Sequence, residues 1–143
     1  MAAPQQLLSG LAKAGTQQIV AARITTSNAT PTIAQIVRLA NNTSATLWIN
    51  VIGVRTDLGG PGATSNFTRR LRAKRTSYGG ATITAIDTIG TDDEDEAATA
   101  VAIGASTTDV TVTVTGVAAE TYVWDVVTTA TISTEFPNIV DIP

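Results

Sequence analysis

From residue 18 onward, apolar side chains recur at every second position, the spacing of strands that turn one face to a core. The rhythm marks out 18–25 (QIVAARIT), 32–39 (TIAQIVRL), 45–56 (ATLWINVIGVRT), 66–75 (NFTRRLRAKR), 81–89 (ATITAIDTI), a weaker 97–103 (AATAVAI), 109–115 (DVTVTVT) and 121–133. In 109–115 the valines 110, 112 and 114 point inward and the threonines outward, and in the last strand Tyr122, Trp124 and Val126 share a face. Segment 45–56 is apolar on both faces (Leu47, Ile49, Val51 against Trp48, Ile52, Val54), which predicts a strand covered on both sides. Segment 66–75 sets Phe67, Leu71 and Ala73 against Arg70, Arg72 and Lys74. Turn chemistry separates the strands: Ser27–Pro31, Asn41–Ser44, the loop Asp57-Leu58-Gly59-Gly60-Pro61-Gly62, Tyr78-Gly79-Gly80 and the acidic loop 90–96. Ahead of them, Leu7, Leu8 and Leu11 fall on one side of a short helix over 5–14, although Gly10 and Gly15 weaken it. A flexible arm that orders on a partner accounts for the segment equally well.

The prediction is an all-β fold, a β-sandwich or jelly roll of about eight antiparallel strands over residues 18–143, with residues 1–17 as an N-terminal arm. No helical pattern alternates with the strands, which argues against a parallel α/β sheet. No internal repeat is visible.

Composition narrows the function. The chain has 143 residues, room for one domain with a real core. It holds 26 threonines, whose β-branched side chains suit strands, and only 4% aromatics, so Val, Ile, Leu and Ala must build the core. Charged residues make up 15%, well below the usual level of roughly a quarter, as in proteins with interface to hide. There is no histidine and no cysteine, which removes the commonest general base, the commonest transition-metal ligand and every thiolate site. These absences point away from an enzyme, a cofactor or a metal. A net charge of −3 argues against nucleic acid, and no apolar run is long enough for a membrane-spanning helix. Nothing in residues 1–15 forms a signal-peptide core, so the expected location is the cytoplasm of the producing cell or a particle assembled there.

Two charged clusters stand out. Arg69, Arg70, Arg72, Lys74 and Arg75 are five of the nine basic residues. They read as a solvated outer face guarding an edge strand, as a docking surface for an acidic partner or as a phosphate stripe; the stacking aromatics of a single-strand binder are lacking. Asp92, Asp93, Glu94, Asp95 and Glu96 are five of the twelve acids. Five consecutive carboxylates lack the alternating spacing of a calcium loop, so they are either solvated or set against strand 69–75, within a subunit or across a boundary. The glycines at 59, 60 and 62 lack the Lys-Ser/Thr and helix of a phosphate loop. Asp125 next to Trp124 could be a tuned acid, but no second carboxylate matches it, and solvent exposure opposite the Trp124 face is the simpler reading. Trp48 and Trp124 are expected to anchor core or interface, with a sugar platform as the alternative.

The order of these motifs carries a resemblance. A doubly apolar strand ending in Val54-Arg55-Thr56-Asp57 and a glycine loop are followed by an arginine-bearing strand and a Gly-Gly turn. Then come Thr88-Ile89 with an acidic loop, Val112-Thr113-Val114-Thr115-Gly116 and a strand with Trp124. Over residues 45–134 this resembles the β-sandwich domain of structural proteins of tailed bacteriophages: tail-fibre tips, head fibres and capsid decoration (cement) proteins. The resemblance implies a homotrimeric virion component assembled in the host bacterial cytoplasm. With no coiled-coil shaft before the domain, the expectation is a decoration protein that stabilises the head by bridging subunits of the major capsid protein. A tail-tip module recognising a host glycan is the alternative, and a glycan-active enzyme a third. The expected interface comprises Leu7, Leu8, Leu11, Trp48, the basic cluster 69–75 and the acidic cluster 92–96.

Overall fold

The computed structural model describes residues 5–8, 16–76 and 79–134. Ten strands are assigned: β1 (Gln5–Leu8), β2 (Thr16–Thr26), β3 (Thr32–Leu39), β4 (Thr43–Arg55), β5 (Thr64–Arg75), β6 (Ala81–Thr88), β7 (Asp93–Glu94), β8 (Ala100–Ser106), β9 (Asp109–Thr115) and β10 (Tyr122–Thr134). They form two sheets. One runs β1-β3-β9-β8, and the other β2-β10-β4-β5-β6 with β7 also on β5. All pairings are antiparallel except β1 with β3. The architecture is the expected all-β sandwich.

The two-residue period places the core. Val110, Val112 and Val114 of one sheet meet Leu47, Ile49, Val51, Phe67, Leu71, Trp124 and Val126 of the other, and all are buried. Gly53 lies beside Trp124 in the ladder, and the indole ring covers it. The ring stacks on Tyr122 with centroids 5.5 Å apart and donates from Nε1 to Thr26 Oγ1 at 2.9 Å. One polar tie crosses the core: Gln35 Nε2 donates to the Val20 carbonyl at 3.3 Å, and its Oε1 accepts from the Thr128 hydroxyl.

Three expectations need correction. Residues 5–8 are a strand, not a helical turn: pairing with β3 takes up the backbone groups along one side, whereas a short glycine-flanked helix would leave most of its groups to water. Leu7 and Leu8 lie in that strand, while Leu11, Ser77 and Tyr78 lie outside the described residues. β4 is covered on one face only: Trp48 and Ile52 are 38% and 46% exposed, because the second sheet packs against the opposite face. The acidic loop contains the two-residue strand β7, and the strand read at 97–103 starts at Ala100.

Candidate interaction surface

The outward face of the six-stranded sheet follows from register. On β2 it carries Gln17, Ile19, Ala21, Arg23 and Thr25; on β10 Val123, Asp125, Val127, Thr129 and Thr131; on β4 Thr46, Trp48, Asn50, Ile52 and Val54; on β5 Asn66, Thr68, Arg70, Arg72 and Lys74. Cross-strand rows run Ile19–Thr129–Trp48–Arg70–Asp87, Ala21–Val127–Asn50–Thr68 and Arg23–Asp125–Ile52–Asn66. The β2-β10-β4 half is mixed, and within it Ile19 at 69% and Val127 at 37% are exposed beside Trp48 and Ile52. The β5-β6 half is basic.

The charges on this face are largely paired. Arg23 holds Asp125 through two bonds of 2.7 and 2.9 Å, and Arg70 reaches Asp87 at 2.8 Å. The Arg23 guanidinium holds the Asp125 carboxyl below the usual carboxylate range. Asp125 is thus an outward ion-pair partner with no acid-catalyst surroundings. Arg72 donates to Thr84 Oγ1 at 3.1 Å. Where β6 bulges against β5, between Arg70 and Arg72, Ala85 takes a φ of 52° and an open cleft of about 280 Å³ forms. Thr46, Arg70, Arg72, Ala85 and Asp87 line it.

The basic cluster is split between the two faces of β5. Arg70, Arg72 and Lys74 face outward, whereas Arg69 and Arg75 fall on the parity of Phe67, Leu71 and Ala73. Arg69 grips Asp92 with bonds of 2.6 and 2.8 Å and lies 5.7 Å from the Phe67 ring centroid, and it holds the Asp92 carboxyl below its ordinary value. Arg75 is spent on backbone, donating to the Leu39 and Gly79 carbonyls. Of the acidic run, Asp92 makes an ion pair with strand 69–75, through Arg69. Asp93 and Glu94 pair their backbone with Asn66 and Ser65, Asp95 accepts from the Thr64 amide at 2.9 Å, and Glu96 lies 3.7 Å from Arg55.

Arg55 is a hub that the sequence reading missed. Its guanidinium meets Asp57 at 2.9 Å, Glu120 at 2.9 Å and Glu96, and the glycine loop folds over it, so that a Cβ on Gly60 would come 2.7 Å from Nη1. Asp57 also accepts from the Gly59 and Thr121 amides, and its carboxyl sits far below the ordinary range, with the Arg55 hydrogen bond as the main cause. The tip of the loop, Leu58, is 99% exposed. Inside the hub, the Tyr122 hydroxyl and Glu120 Oε2 are buried without a hydrogen bond in good geometry; burial, then Glu120 and Glu96, push the phenol up to about 12. Arg-x-Asp before a glycine loop was the available signal. No group of three or more His, Cys, Asp or Glu among the described residues is arranged to hold a metal. No described helix is long and apolar enough to cross a membrane.

No protein-family model and no curated protein matches the chain. Among solved structures, it is similar to the tailspike protein of Acinetobacter baumannii phage AM24, with a TM-score of 0.47 and 11% identity over 80% of this chain and 26% of that one. It is also similar to the tailspike of Acinetobacter baumannii bacteriophage Fri1, a capsular polysaccharide depolymerase, with a TM-score of 0.38 and 11% identity over 82% and 17% of the two chains. A third Acinetobacter phage tailspike gives 0.35 at 14% identity, covering 82% of this chain and 22% of that one. The chain thus spans about a quarter or less of each tailspike.

Proposed function

We propose that the chain is a structural component of a bacteriophage virion, acting through protein contact, with the outer face of the six-stranded sheet seated on another protein of the particle. The observation that carries this reading is a group of large apolar side chains on that face: Ile19, Trp48, Ile52 and Val127 are exposed together on three adjacent strands. Exposed apolar groups gathered on one surface, with paired charges at the rim, mark contact sites more often than free surface. The virion setting comes from the motif order over residues 45–134. A decoration protein bridging major capsid subunits is one form, and it would strengthen the shell by mass action. A tail location is the other, and the named structural neighbours are tail proteins.

The test is incorporation. Trp48→Glu and Ile52→Glu place charge on an exposed face, so each should fold as the parent does while its copy number in purified particles falls at least tenfold. Labelled antibody on intact particles and on tail-less heads then separates capsid from tail. Wild-type incorporation of both variants, or absence of the protein from particles, overturns the reading.

A second reading, glycan recognition at the tail, has one specific observation in its favour. The half-exposed Trp48 ring shares a row with Arg70 and Asp87, beside the cleft at the β6 bulge. A sugar could stack on the indole while the ion pair hydrogen-bonds its hydroxyls. Binding on a glycan array that Trp48→Ala abolishes would support it.

A further inference from the structure

The edges of the two sheets are not alike. Edge strands present unpaired backbone groups, and stable monomers blunt them by shortness, bulges, charge or cover. β1 is four residues long. β8 is seven residues long and lies near β6, whose first residue, Ala81, donates its amide to the Thr107 carbonyl in the β8–β9 turn at 2.6 Å. β6 is broken by its bulge and by the positive φ of Ala85. β2 is neither short nor bulged, although Gln35 Nε2 already bonds its Val20 carbonyl at 3.3 Å. It is eleven residues long, pairs with β10 from Thr16 to Thr26 with no register shift, and has no strand on its other side among the described residues. It contains no proline and no glycine, and its one charge, Arg23, is neutralised by Asp125.

We propose that β2 is a self-pairing edge: β2 of a second copy adds to it antiparallel, about a two-fold axis at Ala21, and joins the two six-stranded sheets into one. The inference rests on the reading of the chain as an assembly module and names the partner at this edge as the chain itself. An antiparallel homotypic pair is isologous, so it closes at two copies and leaves no open edge at that contact. A two-fold at Ala21 sets the small Ala21 side chains opposite each other. It also sets Ile19 opposite Arg23 of the second copy, whose aliphatic stem can cover the exposed isoleucine while its guanidinium stays on Asp125. Overlap from Gln17 to Thr25 makes roughly eight to ten interchain hydrogen bonds, close to the ten or so of a specific interface. Because the Arg23–Asp125 pairs are neutral, the two edges meet without like-charge repulsion.

The chain has no cysteine, which makes crosslinking clean. Ala21→Cys should give a disulfide-linked dimer under mild oxidation, because opposed residues of an antiparallel pair fall within disulfide reach. Leu58→Cys on the exposed loop is the control and should stay at least tenfold less crosslinked. By light scattering, the parent should show twice the monomer mass in any assembly it forms on its own at tens of micromolar. Ile19→Lys, which sets a cation opposite Arg23, should return the monomer with an unchanged circular-dichroism spectrum. A parent that stays monomeric, an Ala21→Cys yield no higher than the control, or an assembly untouched by Ile19→Lys overturns the inference. The two proposals fail separately. A crosslinking protein absent from particles refutes the virion role alone, and a protein incorporated through Trp48 and Ile52 without β2 crosslinking refutes the edge alone.

Discussion

Gly53→Ala tests the core most directly. An added Cβ would stand 2.5, 2.7 and 2.9 Å from three carbons of the Trp124 ring, inside the distance real Cβ atoms keep. The ring has nowhere to go: it is fully buried, stacked on Tyr122 and tied to Thr26. Overpacking of a tight core costs about 1–3 kcal/mol, partly offset by the roughly 0.5–1 kcal/mol that alanine gains over glycine in a strand. A net loss of about 1–2 kcal/mol is expected, which for a chain of this size lowers the melting temperature by roughly 2–8 °C. Trp124→Phe alone should also destabilise, by about 2–4 kcal/mol, through a cavity and the loss of the bond to Thr26. The smaller ring makes room for the new methyl, so the double variant should be more stable than the sum of the singles by at least 1 kcal/mol. Urea denaturation followed by circular dichroism at equal protein concentration measures all four proteins. Additivity within about 0.5 kcal/mol, or a Gly53→Ala variant as stable as the parent, would refute the claim that this glycine exists to seat the indole.

Other outcomes follow from the ion pairs and the buried phenol. Asp57, Asp92 and Asp125 have depressed carboxyl pKa values in the fold, so their contribution to stability is present above the unfolded value near 4 and is lost as pH falls through that range; urea midpoints should drop between about pH 5 and 2. Tyr122 has the opposite sign: with its pKa raised to about 12, its neutral form stabilises the fold below about pH 10, and that contribution is lost as pH climbs toward 12. Absorbance titration near 295 nm should show one of the two tyrosines ionising late, and Tyr122→Phe should remove that phase. Arg69→Ala should cost about 1–2 kcal/mol and speed amide exchange around residues 92–95, because Asp92 would lose both its bonds to β5 and leave the loop held by β7 and Asp95. Arg69→Lys should recover only part of the loss, since an ammonium cannot reproduce the two-pronged grip.

The sequence by itself determined the local structure. Strands 32–39 and 109–115 match β3 and β9 residue for residue, and the inward parity of Val110, Val112, Val114, Tyr122, Trp124 and Val126 was legible because a strand's side chains alternate strictly. What alternation cannot encode is which face meets the other sheet, or where the ladder slips. β4 is apolar on both sides, and only the placement of β9 and β3 under its odd-numbered face left Trp48 and Ile52 outside. In β3, the register shift between Ile33 and Gln35 turns Ala34 and Gln35 inward together and leaves Ile33 43% exposed, against the simple two-residue pattern. The split of the arginine cluster, the gathering of Glu96 and Glu120 on Arg55, and the place of β2 at the end of its sheet among the described residues likewise depend on residues far apart in the chain. Local propensity sets the direction of each side chain, but long-range pairing decides what it meets, and the candidate surface is made of those meetings.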